Sequence, residues 1–87
     1  MEIRLEGNPG TGYVWQYDPQ ASTRPELVEV ESVGYIAPDT DRIGAPTLFS
    51  FTVTPLAAGS VTLAFDYLRP WEKEALRRET RRIEISP

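Results

Sequence analysis

Hydrophobic and polar residues alternate with a period of two along most of this chain, and proline and glycine interrupt the alternation. Ile3 and Leu5 alternate with Glu2, Arg4 and Glu6 ahead of Gly7. Tyr13, Trp15 and Tyr17 fall on one face, and over 27–31 Val28 and Val30 face away from Glu29 and Glu31. The cleanest pattern is 47–54, where Phe49, Phe51 and Val53 alternate with Ser50, Thr52 and Thr54. Val61, Leu63, Phe65 and Tyr67 share a face over 60–68, and Ile83 and Ile85 alternate with Arg82, Glu84 and Ser86. A period of two puts alternate side chains on opposite faces of a sheet, so these runs predict six or seven short strands, each burying one face. With turn clusters between them, such strands make an all-β fold, a β-sandwich.

The interruptions agree with this reading. Asn8-Pro9-Gly10-Thr11-Gly12, Ala37-Pro38-Asp39, Gly44-Ala45-Pro46, residues 55–59 and Arg69-Pro70 each break an alternating run. Eight prolines in 87 residues are hard to place in helices and suit strand ends and loops. Residues 71–82 have helical composition, but Ala75 and Leu76 are too little for an amphipathic face. This stretch is expected to be a charged loop leading into the last strand. The length supports a single domain, 1–87.

Composition removes several chemistries. There is no cysteine and no histidine, so disulfides, thiol catalysis and the commonest general base and metal ligand are absent. The net charge of −4 argues against a nucleic-acid partner, which needs a basic footprint. No run approaches the ~20 apolar residues of a membrane helix, so no membrane association is expected. No leader is visible in the chain as given, and both cytoplasmic and exported placements remain compatible. Charge is uneven: residues 1–68 carry three basic and nine acidic side chains, residues 69–87 six and four. That pattern fits a solvated basic strand beside an acidic body, or a basic end facing an acidic partner. Asp39-Thr40-Asp41 lacks the spacing of a calcium loop and reads as a solvated turn. No cofactor is expected. Composition favours a binding module.

Two strings carry more specific content. In Asn8-Pro9-Gly10-Thr11-Gly12-Tyr13, proline fixes one φ and restricts Asn8, while two glycines permit positive φ. The result is a tight, rigid loop with the Thr11 hydroxyl near its tip; a plain sheet-crossing turn has the same requirements. In Leu68-Arg69-Pro70-Trp71-Glu72, a tryptophan beside proline at the end of a strong strand suits an exposed aromatic anchor. The competing reading folds Trp71 back onto the sheet edge, under Arg69 as a cation–π pair.

Together and in this order, the two strings resemble the chagasin-like inhibitors of papain-family cysteine peptidases. The resemblance runs from about Gly7 to the C-terminus and includes Phe49-Ser50-Phe51 and the Ala58-Gly59 turn. It implies an immunoglobulin-like β-sandwich presenting three loops, 8–13, 43–47 and 68–72, at one end. It further implies reversible, non-covalent blockade of a papain-like cysteine peptidase cleft. The peptidase-binding residues would be Asn8, Pro9, Gly10, Thr11, Gly12, Gly44, Arg69, Pro70 and Trp71. In that arrangement the tip around Gly10 and Thr11 lies over the catalytic thiolate, Trp71 packs on an apolar wall with Arg69 hydrogen-bonding nearby, and residues 44–46 brace the other side.

The departures from the family pattern are specific. Gly10 stands where the family usually has a second hydroxyl residue, and Ile43-Gly44-Ala45-Pro46 replaces a Gly-x-Gly-Gly loop, with Pro46 removing one backbone donor. Relatives carry a further strand before the Asn-Pro loop, whereas only residues 1–6 precede it here, so the sandwich is expected with or without that first strand. A sheet edge left unpaired for this reason leads to an expectation of weak self-association, tempered by the arginines on the last strand. The alternative function is a generic immunoglobulin-like binding or adhesion module that uses the same loops on another ligand.

Overall fold

The alternating runs do become strands. In the computed structural model, which describes residues 1–36 and 47–87, these are β1 (Glu2–Gly7), β2 (Val14–Thr23), β3 (Val28–Ile36), β4 (Thr47–Pro55), β5 (Gly59–Leu68) and β6 (Arg77–Ile85). They form two three-stranded antiparallel sheets, ordered β1-β4-β3 and β2-β5-β6. The fold is all-β, a sandwich of the immunoglobulin-like kind.

The core lies between the sheets and follows the predicted faces. Ile3, Leu5, Val28, Phe49, Phe51 and Val53 come from the first sheet; Trp15, Val61, Leu63, Phe65, Tyr67 and Ile83 come from the second. Phe51 and Phe65 join the middle strands, with ring centroids 4.7 Å apart. Fully burying a side chain of this size stabilises the fold by roughly 1.5–3 kcal/mol, so these central rings dominate the packing. Alternation is not the whole rule for β4: Ser50, on its outer face between Arg4 and Gly34, is buried as well.

Two elements differ from expectation. The last strand starts at Arg77, so residues 77–82 are strand and not charged loop. Strand β5 is long enough to pair with all of them, from Tyr67 opposite Arg77 to Gly59 opposite Ile85. Arg77 also covers the core margin, its guanidinium 5.3 Å from the Trp15 ring centroid and 5.2 Å from that of Tyr67. Strand β2 continues past Pro19 because its pairing slips between Asp18 and Thr23. Proline is tolerated at such a bulge. Here the Asp18 carboxylate accepts the Gln20 and Ala21 N–H groups, at 3.1 and 3.3 Å.

The short N-terminal run is a full ladder partner. Beyond β1, the Met1 amino group donates to the Val53 carbonyl at 2.9 Å, and Val53 N–H donates to the Met1 carbonyl at 2.7 Å. The edge strands are therefore β1 and β3 in one sheet, β2 and β6 in the other. The register also gathers the loop bases at one end. Gly7 pairs with Thr47, Ile36 with Leu48, Val14 with Leu68 and Tyr67 with Arg77.

Candidate functional site

The first loop carries the chain from one sheet to the other. Residues Pro9–Thr11 form a single 3-10 turn, and Asn8 closes it. The Asn8 side-chain oxygen accepts the Gly10 N–H at 3.1 Å. Its carbonyl accepts the Thr11 N–H at 3.3 Å and the Thr11 hydroxyl at 2.7 Å. An Asn that caps its own turn, followed by a residue with no N–H to leave unpaired, is a local solution the sequence dictates. Thr11 is exposed, but its proton is committed inward, so it faces outward as an acceptor.

The third loop begins where β5 ends. Glu72 N–H donates to the Arg69 carbonyl at 2.9 Å, closing a β-turn with Pro70 at the position whose φ proline presets. Trp71 follows at the tip and is 71% exposed. Leu76 N–H then returns to the Tyr67 carbonyl at 2.7 Å, fixing the base of the loop.

The two loops meet. Arg69 Nε donates to the Thr11 carbonyl at 3.0 Å, and the guanidinium lies 4.6 Å from the Tyr13 ring centroid. Its Nη1 sits 3.4 Å from the Glu72 carboxylate. The cation–π partner of Arg69 is thus Tyr13 and not Trp71. The Trp71 indole rests its edge on Gly12, where a Cβ would fall 2.8 Å from Cη2, and Gly12 has φ +82°. Glycine is required there twice, for the backbone and for the tryptophan.

Asn8, Pro9, Gly10, Thr11 and Gly12 are therefore brought together with Arg69, Pro70 and Trp71 in one ridge. Gly44, the 43–46 part of the middle loop, Asp39 and Asp41 lie outside the described residues. The sequence reading missed Tyr35 and Tyr67, which contact this loop from beneath, and the Glu72 partner of Arg69. Tyr67 was legible as an inward position; the available signal was that a buried tyrosine needs a partner for its hydroxyl.

The site protrudes. Two clefts of about 380 and 310 Å³ lie on the flanks between sheet edges, the first lined by residues including Arg4, Trp15 and Arg77, the second by Trp15, Tyr17, Val30 and Phe51. Neither is lined by residues of the ridge. An exposed tryptophan on a braced loop tip is the kind of side chain that anchors protein–protein contacts.

The family model described as chagasin family peptidase inhibitor I42 matches residues 1–85. The chain belongs to the chagasin family. Chagasin from Trypanosoma cruzi is 36% identical over 73 residues, covering 82% of this chain and 66% of chagasin. Amoebiasin-2 from Entamoeba histolytica is 30% identical over 73 residues, 84% of this chain and 58% of that protein. The chain thus spans less than two thirds of the length of these curated chagasin-family relatives. A crystal structure of a cysteine protease inhibitor from Entamoeba histolytica superimposes with a TM-score of 0.70 at 28% identity, over 98% of this chain and 75% of that one.

Proposed function

We propose that this chain is a reversible, non-covalent inhibitor of papain-like cysteine peptidases, and not an enzyme, acting by wedging loops 8–13, 43–47 and 68–72 into the active-site cleft. The observation that carries the reading is the contact from Arg69 Nε to the Thr11 carbonyl, with Trp71 laid on Gly12. It makes the first and third loops one pre-ordered edge, so little conformational freedom is lost on docking.

The geometry explains why such an edge blocks a peptidase without being cut. Peptidase clefts take substrates as extended chain. Residues Pro9–Thr11 are wound into a 3-10 turn whose hydrogen bonds return to Asn8. This turn departs from the extended chain in which a substrate carbonyl is lined up for attack by a thiolate. Trp71 supplies the large apolar contact on one side, and Gly44 braces the other. Arg69 acts inward, setting the ridge, more than outward. A standard interface buries about 800 Å² per partner, which three short loops can supply.

The edge arginines of β6 are partly neutralised within the chain, Arg81 by Glu79 at 2.9 Å and Arg82 by Glu84 at 3.0 Å. This leaves weak self-association through a sheet edge as part of the reading, checked by light scattering across a concentration series. Nucleic acid and membrane stay outside it.

Calorimetric titration of papain and of trypsin tests the function. One-to-one binding to papain, with both proteins recovered at unchanged mass, and no heat with trypsin is the expected result. Absence of binding to papain and to several of its relatives contradicts it.

A further inference from the structure

The first loop is held from beneath by hydroxyl groups that packing alone does not need. Strand β1 ends at Gly7 and β2 begins at Val14, so the backbone groups of Asn8 and Tyr13 have left the ladder. Asn8 N–H donates to the Tyr67 hydroxyl at 3.0 Å. The Tyr35 hydroxyl donates to the Tyr13 carbonyl at 2.6 Å. The first and last residues of the loop are thus each tied to a tyrosine oxygen, one from each sheet.

The tyrosines are themselves fixed. Tyr13 stacks on Tyr67 with centroids 4.9 Å apart and planes 18° apart, and Trp15 packs on the same Tyr67 ring at 4.8 Å. Tyr35 stands edge-on to Phe49 at 5.0 Å and 80°. Its hydroxyl crosses the end of β1 only because residue 7 is glycine: a Cβ there would lie 2.7 Å from the Tyr35 oxygen. Each tyrosine also stands at a loop base. Tyr13 closes the first loop, Tyr67 precedes Arg69 by two residues, and Tyr35 is next to the last residue of β3, from which the chain enters 37–46.

We propose that the Tyr35 and Tyr67 hydroxyls are a positioning device that sets the first loop against the third from beneath, and so governs how long a bound peptidase is retained. The retention half rests on the inhibitor reading; the positioning half does not. The ring stack aligns Tyr13 under Arg69, while the two hydroxyls fix the height of both loop ends. Removing either oxygen leaves the ring packed and frees one loop end. The loosened loop then samples conformations that dock poorly, which appears mainly as faster dissociation.

The test uses Tyr35→Phe, Tyr67→Phe and Gly7→Ala, read by amide hydrogen exchange in the free protein and by the dissociation rate from papain. Tyr67→Phe is expected to speed exchange at Asn8 by roughly fivefold to tenfold beyond any change at β4 and β5 amides, the size of one lost hydrogen bond. Tyr35→Phe should do the same at Val14, whose N–H shares a peptide unit with the Tyr13 carbonyl. Gly7→Ala should reproduce the Tyr35→Phe effect without adding to it. Papain should leave each variant several-fold faster while the association rate holds. Loop exchange that rises only in step with the sheet amides overturns positioning, whatever papain does. Selective loop loosening with unchanged dissociation overturns the retention half. If the unaltered protein does not bind papain at all, the inhibitor reading fails and the exchange data still decide the positioning half.

Discussion

Arg69 and Thr11 are 58 positions apart in the chain, yet the Arg69 Nε–H points at the Thr11 carbonyl from 3.0 Å. The contact crosses from the β5–β6 connection to the β1–β2 connection and converts two turns into one edge. Its donor is planar and rests on Tyr13, so its direction is fixed by stacking as well as by the hydrogen bond.

Trp71→Ala should weaken binding to a papain-like peptidase by ~2 kcal/mol or more while shifting the melting temperature little, because an exposed anchor contributes to the interface and not to the core. Paired inhibition and thermal-melt measurements check this. A large drop in melting temperature with unaltered binding would make Trp71 a structural residue.

Gly12→Ala should cost both stability and binding. The new methyl meets positive φ and the Trp71 ring together, and forcing such a backbone costs on the order of 1–3 kcal/mol. Denaturant midpoints and inhibition constants should move in the same direction. Trp71→Ala in the same chain should relieve part of the stability loss, since the ring that clashes is gone.

Gly10 behaves differently from Gly12. It does not share the positive φ, and an added Cβ meets only the Asn8 side-chain oxygen, at 3.3 Å. Gly10→Thr should therefore fold with near-normal stability and bind a peptidase more tightly, by restoring an outward hydroxyl. A marked stability loss would show that Asn8 cannot yield those few tenths of an ångström.

How much of this was legible without coordinates varied by element. The strands from Phe49 to Val53 and from Val61 to Tyr67 were plain, because a middle strand with one face on the core leaves an unbroken alternation. Arg77 to Arg82 were not. On an edge strand, charged residues satisfy both solvent and ladder, so composition resembles a loop. The closeness of 8–13 to 69–72 came from the family resemblance, and the bond from Arg69 to Thr11 from neither pattern nor motif. Backbone acceptors leave no mark in a sequence. The same applies to Tyr35, whose role depends on Gly7 and on which carbonyl its hydroxyl meets.

Tyr35 also gives the fold a pH signature. Burial, and then the neighbouring Tyr67 phenol, push its pKa up to about 12 from 10.0. Folding favours the neutral phenol, so this contribution is fully present below pH 10 and is lost as pH rises through about 12. Urea midpoints measured across that window should fall more steeply for the unaltered protein than for Tyr35→Phe. Parallel slopes would contradict the assignment.

The most direct measurement is the steady-state activity of a papain-like peptidase, titrated with this protein at several substrate concentrations. The wedge predicts complete loss of activity near equimolar protein when the peptidase is concentrated, with an apparent inhibition constant that rises linearly with substrate, and recovery on dilution. Activity that stays flat to large molar excess, or inhibition that substrate does not relieve, would contradict it.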